Sequence, residues 1–389
     1  MGTGLSTRLL ESVGEGSGQA GVSVRGVYRS AVEAKVMPPT FPEGSVLSDG
    51  VKVPYLVEPR QVDGERRERT VVLDQVPSQA NRVEEALLAA RDAGRLGIPL
   101  FVLRAVTSHG PVRLTSLEFP HRYADAYLRD SLVEGVAFDK SEVGKRLREV
   151  RAEDARGLFE LDPGSLVFGA WDSHRKGRWP KFARFYTSSM FGLDPEVGAR
   201  RSIRFDPLNL QGGIDDKGKA EDGWKFVPEG TKSKGTKLSE IGHGNAMAKT
   251  PPPGGVSISE ARRDAWISLA GLERVRFGDA SPEAARAARA TLLALALAGD
   301  RLAFDRPSLF LRSGCDLVRV REAVAFEGDG GRVEEVEVSA ADAVAAFTEL
   351  RQHTAELGLE MSTETVELAP NASLAQAIEF AVAKATAED

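Results

Sequence analysis

The chain has 389 residues, 42% of them hydrophobic, with 39 Gly, 20 Pro, one Cys and a formal net charge of −6. That length supports one large or two ordinary cored domains, and the lone Cys315 rules out an internal disulfide, which makes a reducing cytoplasm the expected home. No apolar run approaches the ~18–20 residues needed to cross a bilayer, so no membrane partner is expected, and the negative balance by itself argues against a polyanion.

In chain order, Gly14 to Gly21 reads as a small-residue loop, and Val22 to Tyr28 alternates as a strand does. Pro38, Pro39 and Pro42 interrupt regular structure. Thr70 to Asp74 reads as a short strand that turns through Pro77 into a helix from Gln79 to Ala93, with Ser78 as its N-cap and Arg82 in its first turn. Pro99 to Val106 reads as a strand, Tyr123 to Val133 as a helix, and Leu166 to Trp171 as a strand that ends in a basic loop. Residues 206–255 are Gly-, Lys- and Pro-rich and too long for an ordinary connection, the pattern of a projection that orders on a partner. Beyond them, Val256 to Leu272 and Pro282 to Ala298 read as helices. Val318 to Phe326 and Val333 to Val338 form a hairpin around Gly328-Asp329-Gly330-Gly331, and Ala340 to Ala355 and Leu374 to Ala385 are closing helices. The mixture predicts an α+β or α/β architecture without internal repeats.

Several enzyme classes lack their signatures. Gly230 to Lys237 has the glycine spacing of a phosphate loop but ends Thr-Lys where Lys-Ser/Thr is required. One Cys and five scattered His offer no pair at zinc-ligand spacing, and no nucleophile elbow is present. A carboxylate dyad is open to almost any sequence.

Charge is unevenly distributed. Residues 171–250 carry 15 Lys+Arg against 10 Asp+Glu, whereas residues 251–389 carry 14 against 23. Composition alone favours the simple reading of two differently solvated faces. Two clusters add chemistry to the basic part and its approach. Ser78, Gln79, Asn81 and Arg82 put amides and a cation at a helix start, where they suit phosphate or 2′-hydroxyl contacts or merely an exposed capped end. His174, Arg175, Lys176, Arg178 and Trp179, followed by Lys181, Arg184, Phe185 and Tyr186, mix cations with rings, as single-strand tracking requires and as a solvated loop also allows. His243 and Asn245 lie in a separate Gly-containing island, where the His could stack or cap a turn.

Taken together, VVLDQVPSQANRVEEAL (71–87), PHRYADAYLRDS (120–131), KSEVGKRL (140–147), LVFGAWDSHRKGRWPKFARFYTSS (166–189), KLSEIGHGN (237–245) and GGVSISEARRDAWISLAGLERVRFG (254–278) resemble, in order and spacing, one family. It is the RAMP-superfamily backbone subunit of the type I-U (now I-G) CRISPR–Cas interference complex, and the resemblance runs from about residue 70 to 320. It implies an α+β, RRM-like (ferredoxin-like) palm in a single domain spanning 1–389. It further implies that about 206–255 form a projecting thumb and that 256–389 supply helical and hairpin elements completing the palm. Copies are expected to stack along crRNA as a helical filament, to present the guide to target DNA, and to join a large subunit and a guide-processing, end-binding subunit, with no cofactor, metal or catalytic residue of their own.

Carried over position by position, Gln79, Asn81 and Arg82 stand in the family's Gln-Ala-Asn-Arg string. Ser173 and His174 stand in its Trp-Asp-Ser-His string, and Lys181 and Arg184 in its Lys-Phe-Ala-Arg string. Leu238 to Asn245 match a string placed in or beside the thumb, although Ala246 to Lys249 replace the family's usual apolar-Pro-Pro continuation. With Ser78, Arg175, Lys176, Arg201, Arg204, His243 and Asn245 they make up the expected RNA-binding set. Related type III backbone subunits cleave target RNA through an acidic residue, so a metal-dependent ribonuclease using Asp172 or Asp206 is the alternative activity.

Overall fold

The computed structural model describes residues 4–32, 35–47, 50–171, 180–199 and 253–387, with the short pieces 207–208, 219–221, 225–226 and 236–237. Strand β1 (Gln19–Ser30) sends Val22, Val24 and Tyr28 into the core. Strands β2 (Val57–Val62) and β3 (Glu65–Asp74) form a hairpin around Asp63 and Gly64, both with positive φ, as a tight Asp-Gly turn needs. β3 leads into helix α1 (Val76–Asp92), with Pro77 in the first turn, where a missing amide costs nothing. A second hairpin, β4 (Leu100–Thr107) and β5 (Gly110–Thr115), is followed by the short strands β6 (Ser131–Val133) and β7 (Val136–Ala137).

Helix α2 (Pro163–Phe168) precedes the two-residue strands β8 (Ala170–Trp171) and β9 (Lys181–Phe182), which pair with each other. Strands β10 (Tyr186–Leu193) and β11 (Ala261–Ser268) are followed by the long helix α3 (Pro282–Phe304). Then come β12 (Ser308–Phe310), β13 (Asp316–Gly328), β14 (Arg332–Val336), helix α4 (Ala340–Glu356), β15 (Thr365–Pro370) and helix α5 (Ala372–Ala387).

The chain is therefore a mixed α+β protein built on a curled antiparallel sheet. Its eight strands run β12-β13-β1-β11-β10-β3-β2, with β14 also paired to β13. The register aligns side chains in rows across the sheet: Arg25 of β1 faces Ala323 of β13 and Asp264 of β11, which in turn faces Ser189 of β10. Helices α1 and α3 pack together behind this sheet, and α4 packs on α3. A five-stranded sheet, β7-β6-β15-β4-β5, stands apart, with its one parallel pair between β15 and β4. Gly299 sits where α3 crosses α1: a Cβ there would lie 2.6 Å from Val83 Cγ1, so only glycine lets the helices approach this closely.

The expected strands at 22–28, 70–74 and 99–106, the hairpin after 318, and the helices starting near 282, 340 and 374 are all present. Three expectations fail. Val256 to Leu272 is mainly strand, because Ala261, Arg263, Ala265 and Ile267 alternate inward with period two, and the helix-forming Arg and Ala content masks that alternation. Leu166 to Phe168 ends a helix, and only Ala170 and Trp171 are strand. The Asp162 carboxylate accepts from the Ser165 amide, Pro163 opens the first turn, and Gly169 at φ 82° ends it. Tyr123 to Val133 breaks into a 3₁₀ turn, a four-residue helix capped by Asp125, and β6, which is captured by Ala369 and Pro370 of β15. The thumb at 206–255 falls largely outside the described residues.

Candidate nucleic-acid interface

The helix carrying Ser78 to Arg82 starts earlier than expected. Gln75 is its N-cap, without a side-chain cap bond, so Ser78 lies inside the first turn and Arg82 in the second. Asn81 is exposed and Ser78 half-buried, and both remain available to a ligand. Gln79 is not, because its side chain is 0% exposed. Its amide nitrogen donates to Asp74 Oδ2 (2.6 Å), and its amide oxygen accepts from Ser188 Oγ (2.7 Å) and Arg263 Nε (3.1 Å). Every side-chain bond Gln79 makes is to a protein group, so it holds the helix start and presents no free amide at the surface. Arg82 reaches the surface, with its Nε on Asp74 Oδ2 at 2.7 Å.

Behind Gln79 lies a buried charge pair that sequence reasoning missed. Arg263 of β11 and Asp300 of α3 are both fully buried and hydrogen-bonded to each other, and Tyr186 joins them, donating to Asp300 Oδ2 at 2.8 Å. The Arg263 guanidinium lies 3.5 Å from the centre of the Phe304 ring. Burial opposes the charge on Arg263, but the Asp300 carboxylate outweighs it and raises the pKa, so the guanidinium stays protonated. Burial, reinforced by Asp300, also pushes the Tyr186 hydroxyl well above its ordinary value. An inward Arg on a strand that reads as helix is visible only once Asp300 is known to face it.

A second junction joins three of the strings on which the resemblance rests. Arg122 donates from Nε and Nη2 to the two carboxylate oxygens of Glu84 on α1, and from Nη1 to the Gly169 carbonyl at 2.9 Å. Its guanidinium also lies 5.4 Å from the Phe168 ring centre. Arg122 adopts φ 50°, a left-handed conformation that costs a non-glycine residue and is held here by these contacts. Burial raises the Glu84 pKa, against the pull of Arg122. Beside them the fully buried Asp162 is pushed up to about 6 by burial, opposed by its bond from Ser165 Oγ.

Gly169 roots the ribbon of β8 and β9. A Cβ on Gly169 would lie 2.8 Å from the Arg184 amide nitrogen, so the two arms of the ribbon meet at close backbone contact. At its exposed end Trp171 pairs across from Lys181, with the ammonium 5.2 Å from the ring centre and Trp171 56% exposed. Arg184 is exposed as well. Ser173, His174, Arg175 and Lys176, carried between these arms, lie outside the described residues, as do Arg201, Arg204, His243, Asn245 and the acidic candidates Asp172 and Asp206. The structure thus brings Asn81, Arg82, Lys181 and Arg184 onto elements linked through Arg122, and moves Gln79 into the core.

The open face of the main sheet forms a cleft of about 900 Å³. It holds Trp266 and the hydroxyls of Thr187 and Ser189, but its charges are mixed: Arg25 is paired with Glu327 (2.7 Å) and Arg262 with Asp63 (2.9 Å). The lining as a whole sets Arg25, Arg262 and Arg321 against Asp63, Asp264, Glu322 and Glu335, so no surplus of positive charge faces a polyanion there. Among the described residues no group of three or more His, Cys, Asp or Glu is arranged to hold a metal ion, and no helix is long and apolar enough to cross a membrane.

No curated protein matches the chain. Residues 30–197 match the family model described as CRISPR-associated protein GSU0053, a RAMP-type Cas family, and the match supports a CRISPR-associated, RAMP-like subunit.

Proposed function

We propose that the chain is a non-catalytic backbone subunit that binds crRNA in a type I (I-U, now I-G) CRISPR interference complex and polymerises along the guide. It holds the guide for pairing with target DNA beside a large subunit and a guide-processing subunit. The observation that carries this reading is the Arg122 junction. One side chain ties the helix bearing Asn81 and Arg82 to the root of the ribbon bearing Trp171, Lys181 and Arg184, all within the matched region. Cations alternating with an exposed ring, on elements held at fixed separation, suit a sugar-phosphate strand with stacked bases.

The strand order supports an RRM-like palm. With other elements inserted between them, β1, α1, β10, β11, α3 and β13 occur in the chain order βαββαβ, the four strands lie adjacent as β13-β1-β11-β10, and the two helices pack together. Co-expression with a guide array tests the reading. The purified protein is expected to carry stoichiometric crRNA, with absorbance at 260 nm well above that of protein alone. Regular cleavage of guide-complementary RNA by the assembled complex with Mg²⁺ would replace this reading with the ribonuclease one.

A further inference from the structure

A small pocket of about 210 Å³ opens beside Arg82, between α1, the C-terminal end of α3 and the edge strand β12. From it we infer a nucleotide-binding subsite in which Arg306 and Phe310 join Arg82 to hold one unit of a single polynucleotide strand: phosphate on the two guanidiniums, base against the Phe310 ring. The inference rests on the guide-binding reading and adds residues to it.

Four observations support it. Arg82 uses only Nε to bond Asp74, and among the described residues its two terminal nitrogens make no hydrogen bond, leaving the fork available for a phosphate. Arg306, exposed on the pocket rim, has no carboxylate partner among the described residues, and its side chain donates there only to the Leu302 carbonyl at 3.3 Å. Phe310 is 69% exposed on an edge strand, so among the described residues its ring is open to a stacking partner. Finally, the one acid lining the pocket, Glu85, is offset by Arg312 at 3.3 Å. The volume is below the roughly 300–1,000 Å³ of small-molecule sites, which suits one unit of a chain that continues past the pocket. The back wall is Phe304, held by the buried Arg263 guanidinium, so the pocket stands on rigid structure.

An edge strand with an exposed ring also fits pairing with a second copy of the chain. The surplus of guanidiniums favours a polyanion, and the experiment separates the two.

The full chain is titrated with labelled oligouridine and with oligothymidine of the same length, at several salt concentrations. Phe310→Ala is expected to weaken binding about tenfold with an unchanged salt slope, because stacking is uncharged, and Phe310→Trp to restore it. Arg306→Ala is expected to reduce the slope by about 0.7, one phosphate's worth on a single strand. Weakening on both strands, or on one alone, supports the subsite and identifies the strand it serves. Wild-type affinity in folded Phe310→Ala and Arg306→Ala proteins overturns the subsite and leaves the guide-binding reading standing. A change in self-association by light scattering with RNA affinity intact overturns it in favour of a protein contact. A wild-type chain that binds neither strand removes the guide-binding reading and the subsite with it.

Discussion

Arg122 grips Glu84 through two hydrogen bonds, at 2.7 and 3.0 Å, across 38 positions of sequence, with Glu84 only 3% exposed. The pair fixes the angle between α1 and the turn before α2, and through the Gly169 carbonyl it fixes where the basic ribbon begins. Removing Arg122 strands a buried carboxylate. Arg122→Ala is expected to cost about 3–5 kcal/mol in denaturant titration, and Glu84→Gln less, because the amide keeps a neutral partner for the guanidinium. Equal, small losses in both variants would mean that the junction is solvated and positions nothing.

Arg263 and Asp300 form the second buried pair. Arg263→Ala is expected to destabilise the fold by about 3–5 kcal/mol by leaving Asp300 charged and unpaired, whereas Arg263→Met combined with Asp300→Leu should recover most of that loss. Urea midpoints of the two variants provide the comparison.

These two pairs mark where the sequence stops being legible. The hairpin around Gly328 to Gly331 and the Ala/Leu-rich start of α3 announce themselves because turn chemistry and hydrophobic period are local signals. Gln79 reads equally well as a surface donor or a core residue, since what decides it is Arg263, 184 positions away. Likewise β11 reads as helix until Asp300 supplies the counter-charge that lets an arginine face inward. The Asp63-Gly64 turn of the first hairpin carries a local residue-type signal, although the expected elements include no hairpin there, whereas β6 carries none, because its partner β15 lies at the far end of the chain.

Gly299 permits the close crossing of α1 and α3. Gly299→Val is expected to cost about 1–3 kcal/mol by overpacking against Val83, and Val83→Ala in the same chain should return part of it. Thermal melts of the single and double variants test the pairing.

Asp162 gives a pH signature. Its folded pKa of about 6 lies above the ordinary 3.8, so between those values the folded state holds a proton that the unfolded state has lost. Its contribution therefore falls as pH rises from about 4 to about 6. The stability difference between wild type and Asp162→Asn should change in favour of the Asn variant across that window, as measured by urea titration at each pH. A difference that stays flat would mean that water reaches the carboxyl.

The central claim is that a polynucleotide strand lies along Arg82, Lys181 and Arg184, and the salt dependence of single-stranded RNA binding tests it most directly. The wild-type chain is expected to show log affinity falling steeply and linearly with log salt. The combined Arg82→Ala, Lys181→Ala, Arg184→Ala variant should be shallower by about 2, at roughly 0.7 per lost phosphate contact. An identical slope in the folded triple variant would contradict the account and put the strand on another face of the protein.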